Sequence, residues 1–191
     1  MNRLPPNQNS IPKILSWGIE HPGLKSKLPY IRKEEFILTV DGEVEKNLKM
    51  SWKQLLSLPQ KVDLSDFHCV EGWSVLNQKW EGILFIDLME AAKMKEGAKY
   101  ALFECADGYT TSLPLEELMG DHVLLAHKIN DRELPQPLGG PLRLVVPHKY
   151  AYKSPMWVTK ISLIVKNRLG YWESGYYSDS ADPWKNDRYR R

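Results

Sequence analysis

The sequence predicts a mixed α+β domain with mainly antiparallel sheets and short helices. Three observations carry that expectation. Runs that alternate apolar with polar residues, or that are rich in β-branched residues, recur along the chain, whereas helically spaced apolar segments are few and brief. Thirteen prolines and twelve glycines supply the many turns such an architecture needs. The 191 residues, 42% hydrophobic and 26% charged, suffice for one substantial core, and no linker, repeat or low-complexity tract divides them.

The elements follow in order. Residues 1–14, rich in Pro, Asn and Ser, predict a flexible N-terminal arm, leaving 15–191 as the single domain. In EEFILTVDGEV (34–44), Phe36, Leu38 and Val40 share one face and Asp41-Gly42 makes the turn, which predicts a strand. MSWKQLLSLP predicts a short helix: Ser51 and Gln54 have capping-box spacing and Pro59 stops it. A strand through VDLSDFHCV delivers Cys69 to its end. FIDLMEAAKMKEG (85–97) has helical spacing and a terminal Gly97. Strands are expected at YALFECA and YTTSLP, a short helix at PLEELMG, and a strand running into a turn at HVLLAHKINDREL. PLRLVVP and WVTKISLIVK are β-branched strands, and the aromatic, polar tail GYWESGYYSDSADPWKNDRYRR has no clear periodicity.

Composition also excludes. A net charge of +2 gives no electrostatic case for nucleic acid or anionic membranes, and the ending SDSADPWKNDRYRR reads as a solvated tail packing one tryptophan rather than as a basic patch. No window approaches 18 uncharged apolar residues, so no membrane span is expected. The first residues lack the apolar core of a secretory signal, which makes the cytoplasm the expected location. Two cysteines, Cys69 and Cys105, do not build a disulfide framework.

Cys69, in DFHCVEGWS, is the residue on which function turns. A free cysteine is often a small core hydrophobe. A nucleophilic thiol needs a histidine base, and His68 on a strand points to the opposite face. The Cys and His residues at 68, 69, 105, 122, 127 and 148 show no zinc spacing. A single thiolate can instead anchor a soft metal whose other ligands come from a cofactor. Trp73 and Asp107-Gly108-Tyr109 could wall and edge a pocket, with core packing and turn chemistry as the alternatives.

Five stretches in order, FHCVEGWS, KWEGI, ADGYTTSLPLEEL, GGPLRLVVPHKYAYKS and DPWKNDRY, resemble the molybdopterin-binding domain of the sulfite oxidase family. The resemblance is to its small single-domain prokaryotic members, related to the catalytic subunit of the periplasmic methionine sulfoxide reductase, and covers residues 17–190. It implies that fold type, and a molybdenum held by one molybdopterin, oxo or hydroxo groups and one protein cysteine, here Cys69. It further implies cofactor contacts from His21, His68, Cys105, Arg143, Lys153 and Ser154. Arg143, a charge inside an apolar strand, needs an anion, which the cofactor phosphate supplies or a structural carboxylate replaces. Where relatives carry a second lysine this chain has Met156, so the phosphate falls to Lys153, Arg143 or backbone amides.

The expected activity is two-electron oxygen-atom transfer on sulfite or another small sulfur oxyanion. Reduction of an S-oxide is the alternative, and a non-catalytic binding protein on the same fold is the alternative of another class. The absence of an arginine after the cysteine counts against sulfite. No Cys-x-x-Cys-His haem motif or flavin motif occurs, so electrons are expected to pass to or from a separate carrier, a cytochrome or similar protein. The resemblance lacks an immunoglobulin-like dimerisation domain, so a monomer is expected.

Overall fold

A computed structural model describes residues 3–16, 18–20, 24 and 27–190. It folds as two sheets joined by short helices. The first sheet contains β1 (Asn9–Ser10), β4 (Lys61–His68), β5 (Trp73–Leu84), β8 (Leu124–Ile129), β9 (Arg132–Glu133) and β10 (Arg143–Val145). Its path runs β1-β5-β8-β10, with β4 also on β5 and β9 on β8. The second sheet has the order β3-β2-β11-β6-β7, from Leu48–Ser51, Ile37–Gly42, Val158–Ile164, Tyr100–Cys105 and Thr110–Pro114. Among the described strands β1–β5 and β2–β11 pair in parallel and the other pairs are antiparallel, so the fold is α+β with mainly antiparallel pairing, as the patterning predicts.

The main core draws on both sheets. Leu38, Val40, Phe103 and Ile161 of the second sheet share one cluster with Ile83, Leu125 and Leu144 of the first. Helix α2 (Phe85–Ala92) adds Leu88 and Met89 to it. On β8 and β10 the intervening residues Leu124, Ala126 and Val145 face a second cluster with Phe67, Val75 and Trp80. The period of two along a strand thus buries both faces of these central strands, which explains their near-continuous apolar runs.

Local chemistry sets the boundaries. Helix α1 (Trp52–Leu56) starts at a complete capping box between Ser51 and Gln54. Helix α2 ends at Ala92 instead of reaching the expected Gly97. Lys93 takes a left-handed φ of 54°, and Glu45 and Lys46 donate backbone N–H groups to the carbonyls of Lys93 and Ala92, so pairing with the neighbouring chain ends the helix early. Two further short helices are α3 (Leu115–Leu118) and α4 (Tyr171–Gly175), the latter in the tail.

Two segments differ from expectation more deeply. Strand β5, twelve residues long and bonded to β1, β4 and β8, is the hub of the first sheet, although WSVLNQKWEGIL carries no clean alternation. Its polar middle, with Asn77 at a φ of 53°, masks the pattern. The N-terminal segment is docked rather than loose over its described part: Asn9–Ser10 pair with Trp73 and Ser74, and Gln8 and Ile14 are buried. The reason is that β5 offers an open edge there, and backbone pairing needs no apolar side chains.

Close approach fixes one position on β5. A Cβ at Gly82 would lie 2.1 Å from the Leu125 carbonyl oxygen and 2.7 Å from the Ala126 Cα. Gly82→Ala is therefore expected to lower stability by at least about 2 kcal/mol, since the strands must separate to admit a methyl group. A urea midpoint equal to that of the unsubstituted protein would refute this.

Candidate active site

Strand β4 ends at His68, and Cys69-Val70-Glu71-Gly72 turns the chain into β5. The Gly72 N–H closes this turn onto the Cys69 carbonyl at 3.1 Å, and the Cys69 N–H donates to the Trp73 carbonyl at 2.8 Å. Gly72 sits at a φ of 100°, a conformation that suits glycine. The turn carries Cys69 to the wall of a cavity of about 300 Å³.

That wall is largely aromatic and apolar. Trp73 comes from β5, Tyr109 from the turn between β6 and β7, and Tyr152, Trp172, Tyr176 and Tyr177 from the later loops and tail. Its polar groups include Glu71, Asp107, Arg143 and Ser154. Tyr109 donates its hydroxyl to the Tyr152 carbonyl at 2.6 Å, tying the 107–109 turn to the loop before β11.

Arg143 stands on β10 on the same face as Val145, which places its guanidinium 4.9 Å from the Phe67 ring and 5.5 Å from the Trp80 ring. It donates to the carbonyls of Leu138 at 2.9 Å and Ser154 at 3.0 Å. No carboxylate pairs with it among the described residues, which removes the structural alternative raised by the sequence. A third, long bond runs from Nε to the Leu144 carbonyl at 3.5 Å, so one N–H on each terminal nitrogen is left over. Burial pulls its pKa from 12.5 down to about 9, a penalty on the order of 5 kcal/mol for a charge it still carries at neutral pH. A buried cation lining a cavity with spare donors is a site for an anion.

Cys69 is buried and lines the same cavity. Burial is the main cause that pushes its thiol up to about 12, with nearby Glu71 adding to it. Metal-free protein should therefore resist alkylation at Cys69. At pH 8 its thiolate population is roughly a thousandfold below that of an ordinary thiol of pKa 9, and iodoacetamide modification read by peptide mass should be slowed accordingly. Rapid labelling at pH 8 would contradict it.

The other expected site residues divide. Ser154 lines the cavity, accepts the Val146 N–H at 3.0 Å on its hydroxyl and holds Arg143 through its carbonyl. His68 does not line it: its Nδ1 lies 2.7 Å from the Ser74 Oγ, across the hairpin, so it supports Cys69 from behind. Cys105 is buried in the main core just off the cavity, where burial raises its pKa well above 9. His21 lies outside the described residues.

Lys153 stands apart from the other expected contacts. Its ammonium is buried against Glu173 at 2.6 Å and Asp179 at 2.8 Å, with the Ser112 carbonyl at 2.9 Å, and it is absent from the cavity wall. Two carboxylates and a carbonyl already occupy the three donors of an ammonium, so it has none to spare for a phosphate. The tail, in which no periodicity is legible, supplies Trp172, Tyr176 and Tyr177 to the wall. Its dense Tyr and Trp content was the available signal.

The donor set fits a cofactor-borne metal. Among the described residues no group of three or more His, Cys, Asp or Glu side chains could hold a metal ion. One buried, soft thiol beside an uncompensated guanidinium instead suits a metal whose remaining ligands and anionic group arrive together.

Comparison with known proteins defines the class. Residues 25–172 match the oxidoreductase molybdopterin binding domain, and the chain belongs to that family. It is 36% identical over 188 residues to the oxidoreductase YuiH of Bacillus subtilis, covering 98% of this chain and 92% of that protein. It is 32% identical over 165 residues to the protein-methionine-sulfoxide reductase catalytic subunit MsrP of Campylobacter jejuni, covering 74% of this chain and 55% of that one. Among solved structures, the sulfane dehydrogenase SoxCD from Paracoccus pantotrophus superposes with a TM-score of 0.69 at 25% identity, over 77% of this chain and 41% of its own. The chain thus spans about half of the reductase and two-fifths of the dehydrogenase. It is a sulfite oxidase-family oxidoreductase whose cofactor is molybdopterin with molybdenum.

Proposed function

We propose that Cys69 ligates the molybdenum, that Arg143 and Ser154 border the bound cofactor, and that the enzyme reduces neutral S-oxides. The observation that carries the substrate choice is the wall itself. Among its described residues Arg143 is the single cation, Glu71 and Asp107 are carboxylates, and most of the rest is aromatic or aliphatic. A small, strongly hydrated oxyanion such as sulfite gains little from such a surface. A neutral sulfoxide with apolar substituents matches the aromatic surface. The relatives named as protein-methionine-sulfoxide reductases support the same reading.

When bound, the molybdenum cofactor supplies the two-electron oxygen-atom transfer. Overall, one S-oxide, two electrons and two protons give one sulfide and one water. The chain's residues orient the substrate: Trp73 and Tyr177 wall the cavity that Cys69 faces, and the apolar lining excludes bulk water. Electrons come from a separate carrier protein in this proposal.

Protein made in a molybdopterin-competent host should contain about one molybdenum per chain by mass spectrometry. With reduced viologen as donor it should turn over methionine sulfoxide, and with ferricyanide as acceptor it should leave sulfite untouched. Sulfite oxidation without sulfoxide reduction would reverse the substrate choice. Loaded protein inert in both assays would favour a binding role.

A further inference from the structure

The Cys69 carbonyl accepts two hydrogen bonds. One comes from Gly72 within the turn, the other from Gln8 Nε2 at 3.0 Å, a buried side chain 61 residues earlier in the chain. On its other side the Gln8 amide oxygen accepts from the Ser74 Oγ at 2.9 Å, and that hydroxyl lies 2.7 Å from His68 Nδ1. Valence fixes every direction. Gln8 must donate to a carbonyl, so its oxygen accepts. Ser74 has one proton and gives it to Gln8, so its oxygen accepts from His68 Nδ1–H. A one-way chain therefore runs from His68 through Ser74 and Gln8 to the backbone of Cys69.

The same turn is held from the other end of the sequence. Arg188 donates to the Val70 carbonyl through Nη1 and to the Asn7 carbonyl through Nη2 at 2.9 Å. Gly72 leaves room for this strap: a Cβ there would stand 3.3 Å from the Asn7 carbonyl oxygen. Asn7 and Gln8 thus meet the tail over the turn that carries the cysteine.

We infer that Gln8 is a positioning residue for Cys69, fixing the peptide plane from which its Cα–Cβ bond departs and hence the aim of Sγ into the cavity. The inference rests on reading Cys69 as the metal ligand. Outer partners of metal ligands act in this way, and losing one typically costs about 10–100-fold in metal affinity. Here the partner bonds the ligand's backbone, because a thiolate sulfur offers no second donor atom of the kind histidine has.

The test uses the full-length chain with Gln8→Met, which keeps the volume and removes both hydrogen bonds. Gln60→Met is the control: it breaks the Gln60–His127 contact of 2.8 Å, neither residue of which lines the cavity. Metal-free proteins from a molybdopterin-deficient host are treated with iodoacetamide, and the two cysteines are followed separately by peptide mass. Gln8→Met should label Cys69 about tenfold faster while Cys105 stays within about twofold, and loaded Gln8→Met should retain about tenfold less molybdenum with a shifted thiolate-to-molybdenum absorption band. Unchanged Cys69 labelling, equal acceleration of both cysteines, or the same acceleration in Gln60→Met would overturn the inference. Loss of the reading of Cys69 as ligand would show separately, as unsubstituted protein without molybdenum, while the labelling contrast would still decide whether Gln8 holds the turn.

Discussion

Cys69→Ser is expected to fold and to lose the enzyme. The side chain is small and the substitution conserves its volume, so metal-free stability should fall by no more than about 1 kcal/mol, the cost of placing one hydroxyl where a thiol stood. Activity should fall by at least about a hundredfold, more than the loss of an outer partner costs, because a hard neutral hydroxyl replaces the soft thiolate. The thiolate-to-molybdenum band should vanish with it. A serine variant with native absorption and turnover would show that Cys69 is not the ligand.

Arg143→Met separates the two roles of a buried charge. In metal-free protein the substitution removes a desolvation penalty on the order of 5 kcal/mol, indicated by a pKa brought down to about 9. It also strands the Leu138 and Ser154 carbonyls, at about 1–3 kcal/mol each, and forfeits about 2 kcal/mol of attraction to Phe67 and Trp80. These terms nearly offset, so metal-free stability should change by less than about 2 kcal/mol. Cofactor retention should fall at least about tenfold, because the anion then enters an apolar site with no cation. Matched urea melts and molybdenum analysis decide the matter. A variant that keeps its cofactor, or that unfolds without it, would show that Arg143 serves the fold alone.

What the sequence disclosed follows a physical line. The place of Cys69 at a turn lining the cavity was legible because an alternating strand runs into Glu-Gly-Trp, and because its companion stretches occur in order. The setting of Arg143 was legible because a guanidinium inside PLRLVVP is a charge buried in an apolar strand. Lys153 shows the limit of that argument. A buried lysine carries the same sequence signature as a buried arginine, and its partners Glu173 and Asp179 lie in a tail without periodicity. Strand β5 was hidden by its polar centre, and Gln8 by its setting in a Pro- and Asn-rich segment. Both gain their roles from distant backbone, on which local pattern is silent.

The ion cluster of Lys153 has a bearing on the width of the cavity. Tyr176 and Tyr177 lie in sequence between Glu173 and Asp179, the two residues that hold one ammonium, and Trp172 stands directly before Glu173. The aromatic panel is thus bolted to the domain at both its edges by a single fastening point. Lys153 thereby fixes the segment from which Trp172, Tyr176 and Tyr177 reach the wall, and its loss would release that segment at both ends at once.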